Sequence, residues 1–202
     1  MGSRETEMTI RQINLSRWMA AAVLLLTGHL CALAQSAPVK TPQEHRLVLF
    51  HTHTGERLDI VYRRGDQYLP DAIARLDYFL RDFRTGDVRH FDPRLYDILE
   101  ELTISMGHPH GEIDIVCGYR SPWTNEFLRS HTTGVAKNSL HIQAEAIDLR
   151  MPGVNTLQLR HAALALHEGG VGYYPHSDFI HVDVGRVRQW CFDCPASIRS
   201  GD

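Results

Sequence analysis

The chain has 202 residues, 43% of them hydrophobic and 8% aromatic, with 21 basic and 24 acidic side chains. This excludes a disordered chain and fits one domain able to bury a core without disulfide staples. The slightly acidic balance gives no electrostatic case for nucleic acid, and 13 His direct the search for chemistry to imidazoles and carboxylates.

Arg11 and Arg17 precede an uncharged run from Trp18 to Ala34 that ends Ala32-Leu33-Ala34, the small-x-small pattern of a signal-peptidase site. The segment 1–34 is therefore expected to be a signal peptide. The alternative is a permanent anchor, but the run is at the short limit for a membrane span and His29 interrupts it. Leu30 before Cys31 is too bulky for a lipoprotein signal. Either way the domain is expected outside the cytoplasmic membrane, most simply in a bacterial-type periplasm, with membrane contact only through an uncleaved signal. Residues 35–45, with Pro38 and Pro42, read as a flexible lead to a domain over 46–202.

Leu47–Phe50 and Leu58–Tyr62 read as two strands joined by the loop His51–Glu56. His51 and His53 fit polar loop residues better than metal ligands. Ile73, Leu76, Phe79, Leu80 and Phe83 recur at helical spacing after Pro70-Asp71, and Arg84–Asp87 ends that helix. Asp92-Pro93 starts a second helix, with Leu95, Ile98, Leu99 and Leu102 on one face. Ile113–Cys117 is a short apolar strand in which Cys117 is expected to pack as a small hydrophobe. Pro122 opens a helix to about Arg129, 131–140 is a loop, and Ala144–Leu149 is a strand. Asn155 caps a helix through His167 that Gly169-Gly170 stops. Val171–Tyr174 and Phe179–Val184 form the last strand pair. The order predicts an α+β single domain with an antiparallel sheet packed on helices.

Cys191 and Cys194 lie past the last predicted strand. In an oxidising compartment they suit a local disulfide, away from any site, whose loss should leave function almost unchanged. A thioredoxin-like role needs the C-x-x-C pair between a strand and a helix, and here Pro195 follows it.

His141 and Asp148 are seven apart, and His181 follows on a later strand: two imidazoles and one carboxylate, a plausible three-ligand zinc set. An odd spacing cannot put both groups on one face of a straight strand. His141 must lie in the loop before the strand, or a bulge must intervene.

Gly118-Tyr119-Arg120-Ser121, Ser139-x-His141-x-x-Ala144-x-Ala146-x-Asp148, Gly172-Tyr173-Tyr174 and Phe179-Ile180-His181-Val182-Asp183 together resemble the D-Ala-D-Ala zinc metallopeptidase superfamily, within it the YcbK-like murein endopeptidases. His53–Glu56 and Phe79–Gly86 extend the resemblance over about 47–190. It implies a hedgehog/D-Ala-D-Ala peptidase-like fold with one zinc held by His141, Asp148 and His181. The implied reaction is hydrolysis of peptidoglycan stem-peptide bonds involving D-amino acids. It offers Asp178, three before His181, as general base, with Asp183 the rival that shares a strand face with His181. Arg120 would bind a substrate carboxylate or the oxyanion, and His176 would donate to the tetrahedral intermediate. The alternatives are a D,D-carboxypeptidase or a non-catalytic zinc-stabilised peptidoglycan-binding domain. A monomer is expected.

Overall fold

The computed structural model describes residues 41–194; the expected signal segment lies outside them. Eight strands form one sheet: β1 Glu44–His51, β2 Arg57–Arg64, β3 Gln67–Tyr68, β4 Glu112–Cys117, β5 Ala146–Arg150, β6 Gly170–Tyr174, β7 Phe179–Asp183 and β8 Arg188–Cys191. Among the described residues, four helices accompany them: α1 Pro70–Phe79, α2 Arg94–Ser105, α3 Pro122–His131 and α4 Thr156–Leu166. Strand order is β3-β2-β1-β4-β5-β7-β6-β8. All neighbours are antiparallel except β1 with β4 and β6 with β8. The α+β domain with a mostly antiparallel sheet is therefore as expected, with two parallel pairs added.

The sheet buries one face under helices. Leu47, Leu49, Ile113, Ile115, Ile147, Leu149, Val171, Tyr173, Ile180 and Val182 alternate along their strands and join one core with Ile73, Leu76, Leu95, Leu99, Leu102 and Leu159. Period two then sends Ala146, Asp148, His181 and Asp183 to the opposite face. On that opposite face lies the cleft.

Several boundaries differ from the sequence reading. β1 starts at Glu44, so the expected lead already pairs with Arg64 at residue 44. His167, not Gly169, ends α4, taking the left-handed conformation at φ 56°. Gly170 instead begins β6. β3 and β8 were not predicted. Cys191 therefore closes a strand, and the disulfide Cys191–Cys194 is formed against the sheet, not beyond it. His51 is buried against Phe79 and Phe83, and its Nδ1 accepts from the amides of His53 and Thr54. It is a core residue, not an open loop polar group.

Candidate metal centre

The centre forms along one row of the sheet. Register pairs Cys117 with Asp148, Asp148 with His181, His181 with Gly172, and Gly172 with Trp190. Residues directly opposite share a face, so β4, β5, β7, β6 and β8 each give one residue to the same line. His141 enters from the chain before β5. It sits in a 3-10 turn, Leu140–Gln143, capped by the Ser139 hydroxyl. Ala144 at φ 58° then turns the chain into β5. That turn resolves the odd spacing of seven: His141 meets Asp148 from off the strand.

Three atoms converge. His181 Nδ1 lies 2.9 Å from Asp148 Oδ1, His141 Nε2 lies 3.2 Å from the same oxygen, and the two nitrogens are 3.1 Å apart. The outer nitrogens fix the tautomers. His141 Nδ1–H donates to the Gly118 carbonyl at 2.8 Å, and His181 Nε2–H donates to Asp183 Oδ2 at 3.0 Å. The inner nitrogens then carry lone pairs aimed at a carboxylate oxygen. Three acceptors at this separation repel one another unless a cation lies between them. Metal bonds of about 2.0–2.1 Å in a tetrahedron put ligand atoms about 3.3 Å apart, close to this triangle. The residues therefore fit a metal ion. Electrostatics carry the same signature. Burial would lower the His141 imidazole, but Asp148 and Cys117 overcome it and raise it to about 10. Asp148 is held well below the usual carboxylate range, its burial cost outweighed by His141 and His181.

The Gly118–Ser121 segment frames this triangle. A Cβ on Gly118 would lie 2.5 Å from the Leu80 carbonyl, which accepts the Tyr119 amide at 2.7 Å. Only glycine lets the end of β4 pass α1 so closely and turn its carbonyl to His141. Ser121 caps α3 by accepting from the Thr124 amide, and its own amide donates to buried Asp82 at 2.8 Å. Asp82 also accepts from the Arg84 amide, so the turn after α1 anchors the turn after β4.

Arg120 reaches the centre. Its Nη2 is 3.8 Å from Asp148 Oδ2 and donates to Cys117 Sγ at 3.5 Å, while Nη1 donates to Asn125 at 3.4 Å. Its Nε is buried without a hydrogen-bond partner. Cys117 does not merely fill core space. Its sulfur lies within 4.8 Å of donor atoms of His141 and Asp148. Sequence reasoning missed this because an apolar run disguises a residue on the cleft face.

Asp183 lies in the same group but is fully occupied. Oδ1 accepts from the amides of Gly170 and Gly185 and from Arg188 Nη1, and Oδ2 accepts from His181 and Arg188 Nη2. Burial would raise its pKa, but His181 and Arg188 hold it well below the usual range. Asp178 is not brought to the triangle. It sits exposed in the β6–β7 turn at φ 52°, and its carboxylate accepts from the Thr156 hydroxyl at the start of α4. His176 is exposed on the same turn and does not line the cleft.

The cleft over the triangle has a volume of about 320 Å³. One bank is the loop 133–140; the other holds Tyr174, Ser177, Phe179, Trp190 and Phe192. Asp148 is the one carboxylate among its lining residues.

A sequence profile described as peptidoglycan L,D-endopeptidase MepK matches residues 39–190. The "Probable peptidoglycan L,D-endopeptidase MepK" of Haemophilus influenzae is 39% identical over 177 residues, 88% of this chain and 95% of that protein. The peptidoglycan L,D-endopeptidase MepK of Escherichia coli K12 is 38% identical over 154 residues, 76% of this chain and 84% of that protein. No solved structure matches the chain. With a profile and relatives that span most of its length, and the motifs of the cleft inside the matched span, this chain belongs to the peptidoglycan L,D-endopeptidase MepK family.

Proposed function

We propose that this protein is a zinc-dependent peptidoglycan L,D-endopeptidase acting as a monomer on stem peptides. The observation that carries this reading is the convergence of three lone pairs from His141 Nε2, His181 Nδ1 and Asp148 Oδ1 at the floor of an open cleft. A two-His, one-carboxylate set suits zinc with a position left for water or substrate. When bound there, zinc supplies a Lewis acid that acidifies water and polarises a scissile carbonyl.

The chain's own residues do the rest. The Gly118 carbonyl and Asp183 hold the two imidazoles in their ligating tautomers. Arg120 keeps a cation beside Asp148 for a substrate carboxylate or a developing oxyanion. Asp178 is the proton acceptor we favour over Asp183. Its neighbours Ser177 and Phe179 both line the cleft, and a side-chain rotation away from Thr156 frees its carboxylate. Asp183 has no oxygen free to take a proton. Export fits this substrate: residues 1–34 would be the cleaved signal peptide, and the domain would work in the periplasm.

The test is digestion of purified murein sacculi by the protein, with and without a chelator, with muropeptides resolved by mass. Chelator-sensitive release of peptides cut between an L- and a D-residue is expected. Tight zinc binding without any cleavage would instead make the domain a peptidoglycan-binding module.

A further inference from the structure

Gly172 stands in the ligand row between His181 and Trp190, and period two puts Tyr174 on the same face of β6. The Tyr174 ring stacks on that of Phe179, the residue opposite, with centroids 4.5 Å apart and planes 14° apart. The indole of Trp190 crosses Gly172: a Cβ there would lie 2.5 Å from its Cε2 and 2.8 Å from its Nε1. The same indole has its ring centroid 5.0 Å from that of His181. From this place over the ligand row, Nε1–H donates to the Tyr174 hydroxyl at 3.1 Å. Tyr174 therefore leans back over the row, and both residues line the cleft.

That hydrogen bond has a direction. An indole nitrogen can only donate, so the hydroxyl oxygen accepts and its own proton points elsewhere. Among the described residues no side chain or carbonyl takes that proton. Charges of the centre reach the hydroxyl. Burial raises its pKa, the Trp190 hydrogen bond opposes this, Asp148 raises it again and Arg120 lowers it, and the balance lies above the ordinary phenol value. The proton thus stays on oxygen at neutral pH, free to form a hydrogen bond but not to leave. What the group lacks is an acceptor. A peptide carbonyl under attack becomes one of growing strength, because a hydrogen bond to an anionic oxygen is roughly twice as strong as a neutral one. Such a contact favours the transition state over the substrate.

We propose that Tyr174 is a catalytic residue whose hydroxyl donates a hydrogen bond to the scissile carbonyl oxygen as that oxygen takes up negative charge, and that Trp190 is its positioning residue. The tyrosine keeps its proton throughout. This rests on the peptidase reading above.

The experiment compares zinc-loaded wild type, Tyr174→Phe and Trp190→Phe on crosslinked muropeptides, with zinc Kd measured for each. Tyr174→Phe should lower kcat about 100-fold or more, the loss expected for one oxyanion donor, with KM and zinc Kd close to wild type. Trp190→Phe, which keeps an aromatic ring but loses the indole donor, should lower kcat by less. A phosphinic isostere of the scissile dipeptide, which carries a tetrahedral anionic oxygen, should lose affinity for Tyr174→Phe in step with kcat. The shape of the pH profile should not change, because the phenol does not titrate in the reaction. A raised KM with kcat kept would make Tyr174 part of the wall only and overturn the role. A lost limb of the pH profile would make it a proton donor and overturn the role as stated. Cleavage by Tyr174→Phe equal to that by wild type overturns the role alone. If wild type cleaves no muropeptide, the peptidase reading itself fails and takes this role with it.

Discussion

Replacing Asp183 by Asn tests the centre most sharply, because it swaps one oxygen for an NH2 group and changes little volume. The amide oxygen can still serve the Gly170 and Gly185 amides, so the strand ends stay paired. Its nitrogen then faces His181 Nε2–H and Arg188 Nη2, donor against donor. His181 relieves the clash by moving its proton to Nδ1, the nitrogen that faces Asp148 and must be bare to bind metal. A charge-assisted hydrogen bond worth about 1.5–3 kcal/mol is lost. Removing such a partner of a ligating imidazole weakens metal binding about 10- to 100-fold, or about 1.4–2.7 kcal/mol, so the two scales agree. Competition with a chromophoric chelator at neutral pH measures the zinc Kd directly. A Kd within twofold of wild type, with the fold intact, would refute the tautomer argument and with it the role of Asp183.

Two further outcomes follow from groups outside the triangle. Asp178→Asn should keep zinc but lose about 100-fold or more in kcat, because an amide cannot take a proton. Thr156→Val, which removes the hydroxyl that Asp178 engages, should hold or raise turnover; near-normal kcat in Asp178→Asn would rule this residue out as base. Burial, and then the charge of His53, lower the His51 imidazole from 6.5 to about 4. The unfolded chain binds a proton that the folded chain refuses. Stability from His51 is thus complete above about pH 6.5 and declines as pH falls toward 4, by about 3 kcal/mol over that window. Melting of chelator-treated protein should show this slope, and His51→Asn, whose oxygen can still accept the His53 and Thr54 amides, should flatten it. An equal slope in both proteins contradicts the assignment.

Elements with strong periodicity were legible in the sequence. The stripe Ile73, Leu76, Phe79 and Leu80 marks α1, and the alternation at Ile147 and Leu149 marks β5, because burial on one face dictates each pattern. β8 was not legible. Arg188, Gln189, Trp190 and Cys191 show no alternation, since their strand is an edge that pairs in parallel with β6 and takes its order from the cleft. The same gap hid the wall formed by Trp190 and Phe192. The site was legible where chemistry left a spacing. A separation of seven positions from His141 to Asp148 required His141 to stand off the strand, and period two put Asp183 on the face of His181. Spacing could not tell that Arg188 would saturate Asp183, because the strand that carries Arg188 was itself not legible, or that Asp178 would turn toward Thr156, which comes from a helix 22 residues earlier. The C-cap of α4 misled for a local reason: two glycines followed, but His167 bears the left-handed turn and leaves Gly170 to pass close to Asp183 and Arg188.

With a divalent cation bound, the charges of the centre would let a slightly acidic protein draw an anionic substrate group into the cleft. Asp148 faces Arg120, and Asp183 faces Arg188, so each buried carboxylate already has a guanidinium. The imidazoles are neutral when both present bare nitrogens to the metal position. A divalent cation bound there would therefore add two positive charges that Arg120 and Arg188 leave uncompensated, inside a cleft lined by aromatic walls. The resulting field is local to the cleft and independent of the chain's net charge of -3. The same geometry makes the metal-free site basic: a proton on His141 is then the cation that three converging acceptors demand. Metal and proton would compete for one position, so zinc binding there would have to displace that proton, and acid would favour its release.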